Sequence, residues 1–278
     1  MIDQDEFGDY PIGSHALIGD GHTAALVRAD GVIDWLCFPR FDSPSVFGAM
    51  LDAEKGGLTA ITPVKRPFES FQRYDPDTNV LETLFIVEGQ GVVRLTDFMP
   101  WSNDTRAVIH EVHRRIDCVE GSVDLRVIFD PRFGYGAAKT SFETNEHGVL
   151  ATSEANDRLS CVLAGGSEWK GRDRGGKECV FRLSRGQRRW LILSWDAERP
   201  EHPIAYRPFE HLRSTRHAWR EWSSRIQYDG PWRHHVLRSA LLLRQLIYAP
   251  TGGMVAAPTT SLPEWIGGTR NWDYRYVW

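Results

Sequence analysis

Short apolar runs cut by turn residues dominate the first ~200 residues, the pattern of an antiparallel sandwich and not of helices. Ala24–Arg28 and Val32–Phe38 flank Asp30-Gly31, a pair that tolerates positive φ and predicts a hairpin. Leu81–Val87 and Val92–Phe98 flank Glu88-Gly89-Gln90-Gly91 and predict a second. Val108–Ile116 is expected to turn at Asp117–Gly121 into Ser122–Phe129, where Val123, Leu125, Val127 and Phe129 share one face. Gly148–Thr152, Leu159–Leu163, Cys179–Leu183 and Arg189–Trp195 continue the pattern. The basic, glycine-rich Lys170–Lys177 reads as a solvated hairpin tip in preference to an anion site. Two packed antiparallel sheets follow.

The period changes after Pro200, Pro203 and Pro208. Phe209, Leu212, Arg216, Trp219, Trp222 and Ile226 recur at three- and four-residue steps, predicting an amphipathic helix. Pro231 suits a first helical turn, and a second helix is expected from Trp232 to Ala249. Its Val236, Leu237, Ala240, Leu241, Leu243 and Ile247 cover so much of the circumference that partners are expected on more than one side. Asn271 is placed to cap a further helix, with Asp273 at its positive end.

A net charge of −4 gives no electrostatic case for nucleic acid or an acidic membrane, and no apolar run approaches a bilayer span. Cys37, Cys118, Cys161 and Cys179 are scattered, and the acidic N-terminus shows no signal-peptide pattern, so a cytoplasmic location is expected. The sequon at Asn103 then carries no meaning. No metal is expected: the ten histidines lack HExxH spacing, and His110 and His113 fall on opposite faces of a strand. No cofactor is expected, and homo-oligomer formation is left open.

The chemistry concentrates between Tyr248 and Trp278. There Trp272, Tyr274, Tyr276 and Trp278 alternate with Arg270, Asn271, Asp273 and Arg275. Aromatic faces stack on sugar C–H faces, and Arg, Asp and Asn supply hydrogen-bond forks to hydroxyls. The plainer alternative is a buried helix start with core aromatics and paired charges. Eleven tryptophans add weight to a carbohydrate binder.

The run APTGGMVAAPTTSLPEWIGGTRNWDYRYVW resembles the entry to the catalytic barrel of glycoside hydrolase family 15, the glucoamylase and trehalase-like enzymes. IGSHALIGDGHTAALVRADGVIDWLCFPRFDSPSVFGAML resembles the start of their trehalase-type N-terminal domain, so the likeness spans essentially the whole chain. It implies a mainly β architecture with α: a large antiparallel β-sandwich over residues 1–200, a linker with a helix over 201–231, and the first helices of a truncated (α/α)6 barrel over 232–278. It also implies hydrolysis of an α-glucosidic bond with inversion, on trehalose or on maltooligosaccharide and α-glucan ends.

By this resemblance Tyr274 and Trp278 line the sugar pocket at the cleavage subsite, with Trp278 beside the general acid. Asp273 orients the motif, while Arg270, Asn271, Trp272 and Arg275 form its scaffold. Glu264 and Trp265 lie in the approach loop, within reach of a leaving-group subsite. The family's Arg-Asp sugar clamp and both catalytic carboxylates come later than Trp278. The chain is therefore expected to be an incomplete copy, inactive alone, and none of Asp20, Asp34, Asp42, Asp97, Glu264 and Asp273 is expected to be the acid or base. His15, Asp20, His22 and the Arg40-Phe41-Asp42 turn are expected to be structural, with Asp42 capping a turn, or else to form an inter-domain contact. Two alternatives remain: a non-catalytic carbohydrate-binding module, and a glycoside phosphorylase.

Overall fold

A computed structural model describes residues 11–101, 108–260 and 268–277. Among these, fifteen strands pair antiparallel in two sheets that share one long strand. The first sheet opens with β1 (His15–Gly19), β2 (Ala24–Arg28), β3 (Val32–Cys37), the short β4 (Ser45–Phe47) on its flank, and β5 (Leu58–Pro63). The second opens with β6 (Glu69–Tyr74), β7 (Leu81–Val87) and β8 (Gly91–Phe98). β9 (Glu111–Asp130) belongs to both. β10 (Thr140–Thr144), β11 (Gly148–Ser153) and β12 (Arg158–Leu163) extend the second sheet, reaching β9 through β15 (Arg188–Trp195). β13 (Lys170–Gly171) and β14 (Lys177–Ser184) complete the first.

The expected hairpin turn at Asp117–Gly121 is absent, and β9 runs straight through it. Up to Asp117 the strand lies between β8 and β15, and from Ser122 it lies between β5 and β14. Gly121 does take positive φ (66°), and a Cβ there would lie 2.0 Å from the carbonyl oxygen of Gln90. With the register shift at Val92/Val93 opposite it, this glycine makes a corner that carries one strand from sheet to sheet. The turn signal was real; it bends a strand without reversing it.

The inner faces of both sheets meet in one core, in which Val123, Leu125, Val127 and Phe129 pack as their alternation requires. Each such side chain contributes about 1.5–3 kcal/mol relative to an exposed one. Asp30-Gly31 makes the first predicted hairpin, with Gly31 at φ 86°. The Lys170–Lys177 tip is a hairpin, with Arg172 beside Asp130 and Glu178.

Outward-facing Phe98, Val162, Trp190 and Ile192 of the second sheet receive Leu212 of α1 (Pro208–Ser223). Pro208 opens α1, and its buried Leu212, Thr215, Ala218 and Trp219 follow the predicted period. α2 (Arg233–Gln245) starts one residue later and stops four residues earlier than expected, because Tyr248–Gly253 folds into a tight turn. α2 buries Leu237 and Leu241 against Trp101 and Trp219, yet Val236, Leu242 and Leu243 are exposed. No helix among the described residues is long and apolar enough to cross a membrane. The sequon at Asn103 lies outside the described residues.

Candidate functional site

The residues singled out for chemistry lie in an arm that follows α2 and folds back on the sandwich. Its first leg leaves the Tyr248–Gly253 turn, where Tyr248 N–H donates to the Gly253 carbonyl at 2.7 Å. Its second leg, from Gly268, runs antiparallel to the first: Ala256 and Ala257 N–H donate to the carbonyls of Tyr276 and Tyr274 at 3.2 and 2.9 Å, and Thr260 bridges Asp273. No helix forms here, so Asn271 caps none; its amide donates to the Gly268 carbonyl at 3.3 Å. The backbone of this stretch is committed to pairing with residues 255–260, which excludes the helical ladder.

Three points seat the arm. Ala249 N–H donates to the Gly21 carbonyl at 2.7 Å, in the tip between β1 and β2. Trp35 Nε1 of β3 donates to the Pro258 carbonyl at 2.9 Å. Arg275 makes the third and most elaborate contact. Its Nη1 donates to the carbonyls of Phe41 and Ser43 at 3.0 and 2.6 Å and lies 3.4 Å from Cys37 Sγ. Its Nη2 donates to Tyr135 Oη and to Asp273 Oδ2, both at 2.7 Å, and its Nε to Asp273 Oδ1 at 3.0 Å. Hydrogen bonds from Arg275 hold the Asp273 carboxyl below its ordinary range. Burial alone would lower the Arg275 value, but the Asp273 hydrogen bond, with Cys37 and Tyr135 beside it, leaves that value raised. Burial pushes the Cys37 thiol up to about 12 against the opposing pull of Arg275.

Beside this seat, Asp20 Oδ1 accepts from the backbone N–H groups of His22 and Thr23 at 2.8 and 2.9 Å, closing the tip on itself. The His22 ring packs edge-on against Tyr248 at 5.6 Å and His110 at 5.9 Å, and Phe41 meets Tyr248 at 6.5 Å. Burial pushes the His22 value below its ordinary range, against the opposing pull of Asp20. His22 and Phe41 thus take part in the contact between tip and arm. Asp42 caps no turn: it pairs with Arg40 through two bonds of 2.9 Å, and Ser43 Oγ accepts from Arg40 N–H.

The predicted sugar-binding residues divide into two groups. Arg275 is buried and engaged with the sandwich. Arg270, Asn271, Trp272 and Tyr276 are exposed, and Tyr274 is half-covered. Trp278, Glu264 and Trp265 lie outside the described residues.

The candidate carboxylates that are described all hold structural partners. Asp34 meets His15 at 2.9 Å, Asp97 is forked by Arg114 inside the core, and Asp20, Asp42 and Asp273 are engaged as above. Among the described residues no group of three His, Cys, Asp or Glu side chains could hold a metal ion. His110, which lies just ahead of β9 and not in a strand, sits near Asp20, whereas His113 bonds Glu111 at 2.6 Å and faces His211.

Sequence reasoning missed Tyr135, Trp35 and Tyr248 as parts of this seat. Tyr135 carried a signal, an aromatic bracketed by Gly134 and Gly136 that sits at φ 59°. Nothing local marks Trp35 or Tyr248.

Comparison with known proteins follows the same division. Residues 7–182 match the family described as trehalase-like, N-terminal. The chain belongs to that family. Residues 230–278, which hold α2 and the arm, match glycosyl hydrolases family 15. A trehalase from Thermoplasma volcanium is 39% identical over 274 residues, covering 97% of this chain and 43% of the relative. A trehalase from Mycolicibacterium smegmatis is 35% identical over 292 residues, covering 96% and 43%. Trehalase 2 from Sulfolobus acidocaldarius is 33% identical, covering 95% and 44%. The chain thus spans less than half the length of these relatives.

Proposed function

We propose that this chain is the N-terminal part of an inverting α-glucoside hydrolase of trehalase type, with trehalose as substrate and glucan ends as the second choice. The observation that carries the reading is the arm: a stretch matching family 15 hydrolases, pinned to the trehalase-like sandwich by Arg275, with Tyr274 half-covered and Trp272 and Tyr276 exposed beside it. In this reading residues 1–200 are the trehalase-like domain, 201–231 link it to the barrel, and 232–278 begin the barrel.

Inverting hydrolysis needs one protonated carboxyl at the leaving oxygen and one carboxylate that activates water, about 6.5–9.5 Å apart. Asp20, Asp34, Asp42, Asp97 and Asp273 are all occupied in structural pairs. In this reading the acid and base belong to a part of the relatives' length that this chain does not span. The chain supplies one wall of the glucose pocket, through Tyr274, Trp278 and the scaffold around Asp273 and Arg275. Trp232, Val236, Leu242 and Leu243, exposed on and just before α2, support the reading, because further barrel helices would cover them.

The test is glucose release from trehalose and from maltotriose. The 278-residue chain alone is expected to release none, and a protein extended to the relatives' length is expected to cleave trehalose in preference. Catalytic release by the chain alone, or an inert extended protein, would overturn the proposal.

A further inference from the structure

Arg275 commits every N–H group of its guanidinium at the seat of the arm. Nε and one hydrogen of Nη2 go to Asp273, Nη1 goes to the carbonyls of Phe41 and Ser43, and the other hydrogen of Nη2 goes to Tyr135 Oη at 2.7 Å. Among the described residues, Tyr135 is the one side-chain oxygen that the sandwich offers this group. Asp273 carries the contact a step further. Its Oδ1 accepts from the backbone N–H of Arg275 at 3.0 Å, closing a turn with Tyr274 at its centre. On the facing leg, Ala257 N–H donates to the Tyr274 carbonyl at 2.9 Å. The backbone beneath the Tyr274 ring is thus fixed by the carboxylate, the guanidinium and the phenol in series.

Tyr135 stands in the loop between β9 and β10 at φ 59°, a left-handed setting that a bulky side chain rarely takes. Gly134 and Gly136 on either side also have positive φ, 62° and 79°, and glycine would suit the middle position without strain. The loop is tied down as well. Arg132 N–H donates to the Val46 carbonyl at 2.8 Å, and a Cβ on Gly136 would lie 2.4 Å from the Lys55 carbonyl oxygen. A tyrosine kept under strain points to a use for its side chain. That use is not core packing, because the residue stays 41% exposed.

We propose that Tyr135 is a positioning residue for sugar cleavage, a sandwich side chain that aims Tyr274 through Arg275 and Asp273. The proposal rests on the hydrolase reading above. Without the hydroxyl, one Nη2 hydrogen loses its acceptor in a covered place, and the guanidinium turns toward water. The carboxylate that it forks moves with it, and the turn beneath Tyr274 loosens. A pocket wall tilted in this way still admits the sugar. It no longer fits the sugar as the ring distorts toward cleavage, so the loss falls on kcat.

The test uses a protein of the relatives' length with trehalose as substrate. Tyr135→Phe is expected to lower kcat about tenfold, with KM held within about twofold and the urea midpoint unchanged. Tyr135→Gly, which also relieves the backbone, is expected to lose as much kcat without losing stability. Adding Tyr135→Phe to Arg275→Lys is expected to cost no more than Arg275→Lys alone, because both break the same contact. Amide exchange gives a readout that needs no turnover. In Tyr135→Phe the Ala257 amide should exchange about threefold faster or more, while the Ala249 amide, bonded to Gly21, stays unchanged. If the unsubstituted protein releases no glucose, the hydrolase reading falls, and exchange at Ala257 still decides whether Tyr135 holds Tyr274. An unchanged kcat in an active protein, additive losses in the double variant, or an Ala257 amide indifferent to the substitution would overturn the proposal.

Discussion

Arg114 and Arg275 each fork an aspartate, one inside the sandwich and one beneath the arm. Arg114 joins β9 to its cross-strand partner Asp97 on β8 through bonds of 2.8 and 3.2 Å, and its Nη2 also donates to the Gly31 carbonyl at 2.7 Å. Neither side chain of that pair is exposed (0%/0%). Arg275 is covered as well, at 4%, but its partner Asp273 is one third open, at 32%, and the flanking Trp272 and Tyr276 face outward. The first pair is enclosed by core on every side, so breaking it leaves a charge that nothing can rehydrate. The second has core on one side only, so the arm can lift and let water in. A fork of similar chemistry therefore holds a global structure in one place and a local docking in the other.

The sharpest way to break this comparison is Asp97→Ala. It strands Arg114 in the core and is expected to destabilise the fold by about 3–5 kcal/mol, read as a shift in the urea midpoint. A loss below about 1 kcal/mol would show that the global fold does not depend on the pair. Arg275→Ala comes next. It should leave the global midpoint nearly in place while freeing the arm. Cys37, buried under the guanidinium, then reports the change: labelling by a thiol reagent should quicken about tenfold or more, as a local loss of about 1.4 kcal/mol implies. An unchanged labelling rate would mean that the Trp35 and Gly21 contacts hold the arm unaided.

The same contrast explains what could be read from the sequence. The strands were legible because one face of each is buried, and burial writes a period of two into the residues, as at Val123, Leu125, Val127 and Phe129. The corner at Gly121 was misread because a glycine at positive φ looks alike in a hairpin and in a bent strand; which one forms depends on β5 and β14, far away in sequence. Arg275 was legible as part of a motif, but its partners Phe41, Ser43 and Tyr135 lie more than a hundred residues upstream. A helix was expected at Asn271 because caps are local signals, whereas pairing with residues 255–260 is not.

Acid titration sharpens the comparison with smaller effects of opposite sign. His15, inside the sandwich, donates toward Asp34 at 2.9 Å; burial alone would lower its value, but the Asp34 hydrogen bond and charge leave it raised. Its contribution is fully present below the unfolded value near 6.5 and is lost as the pH rises through the folded value. His22, facing Asp20, His110 and Tyr248 at the joint, has a lowered value. Its contribution is present above about 6.5 and is lost as the pH falls below that. Asp273, also lowered, withdraws its share only when the pH falls below about 4. Amide-exchange protection of Ala249 and Ala257, whose N–H groups hold the arm, should therefore drop between pH 7.5 and 5.5. Protection of the sandwich core should not follow it. Protection of the arm that stays level across this range would remove His22 from the joint.

The smallest effect on stability belongs to the residue with the largest exposed ring among the described residues of the arm. Trp272 is 60% open and its removal uncovers no buried group, so Trp272→Ala should shift the global midpoint by no more than about 0.5 kcal/mol. A protein has little reason to hold a bare indole next to a buried arginine clasp unless something covers that ring. Under the hydrolase reading the cover is barrel or sugar, so the same substitution in a protein of the relatives' length should lower kcat/KM on trehalose by about tenfold, as the loss of one aromatic contact worth about 1–1.5 kcal/mol predicts. A change in stability without a change in kcat/KM would put Trp272 in the packing between arm and barrel. Neutrality in both would leave the outward half of the motif without a role, and the pocket would then rest on Tyr274 and Trp278 alone.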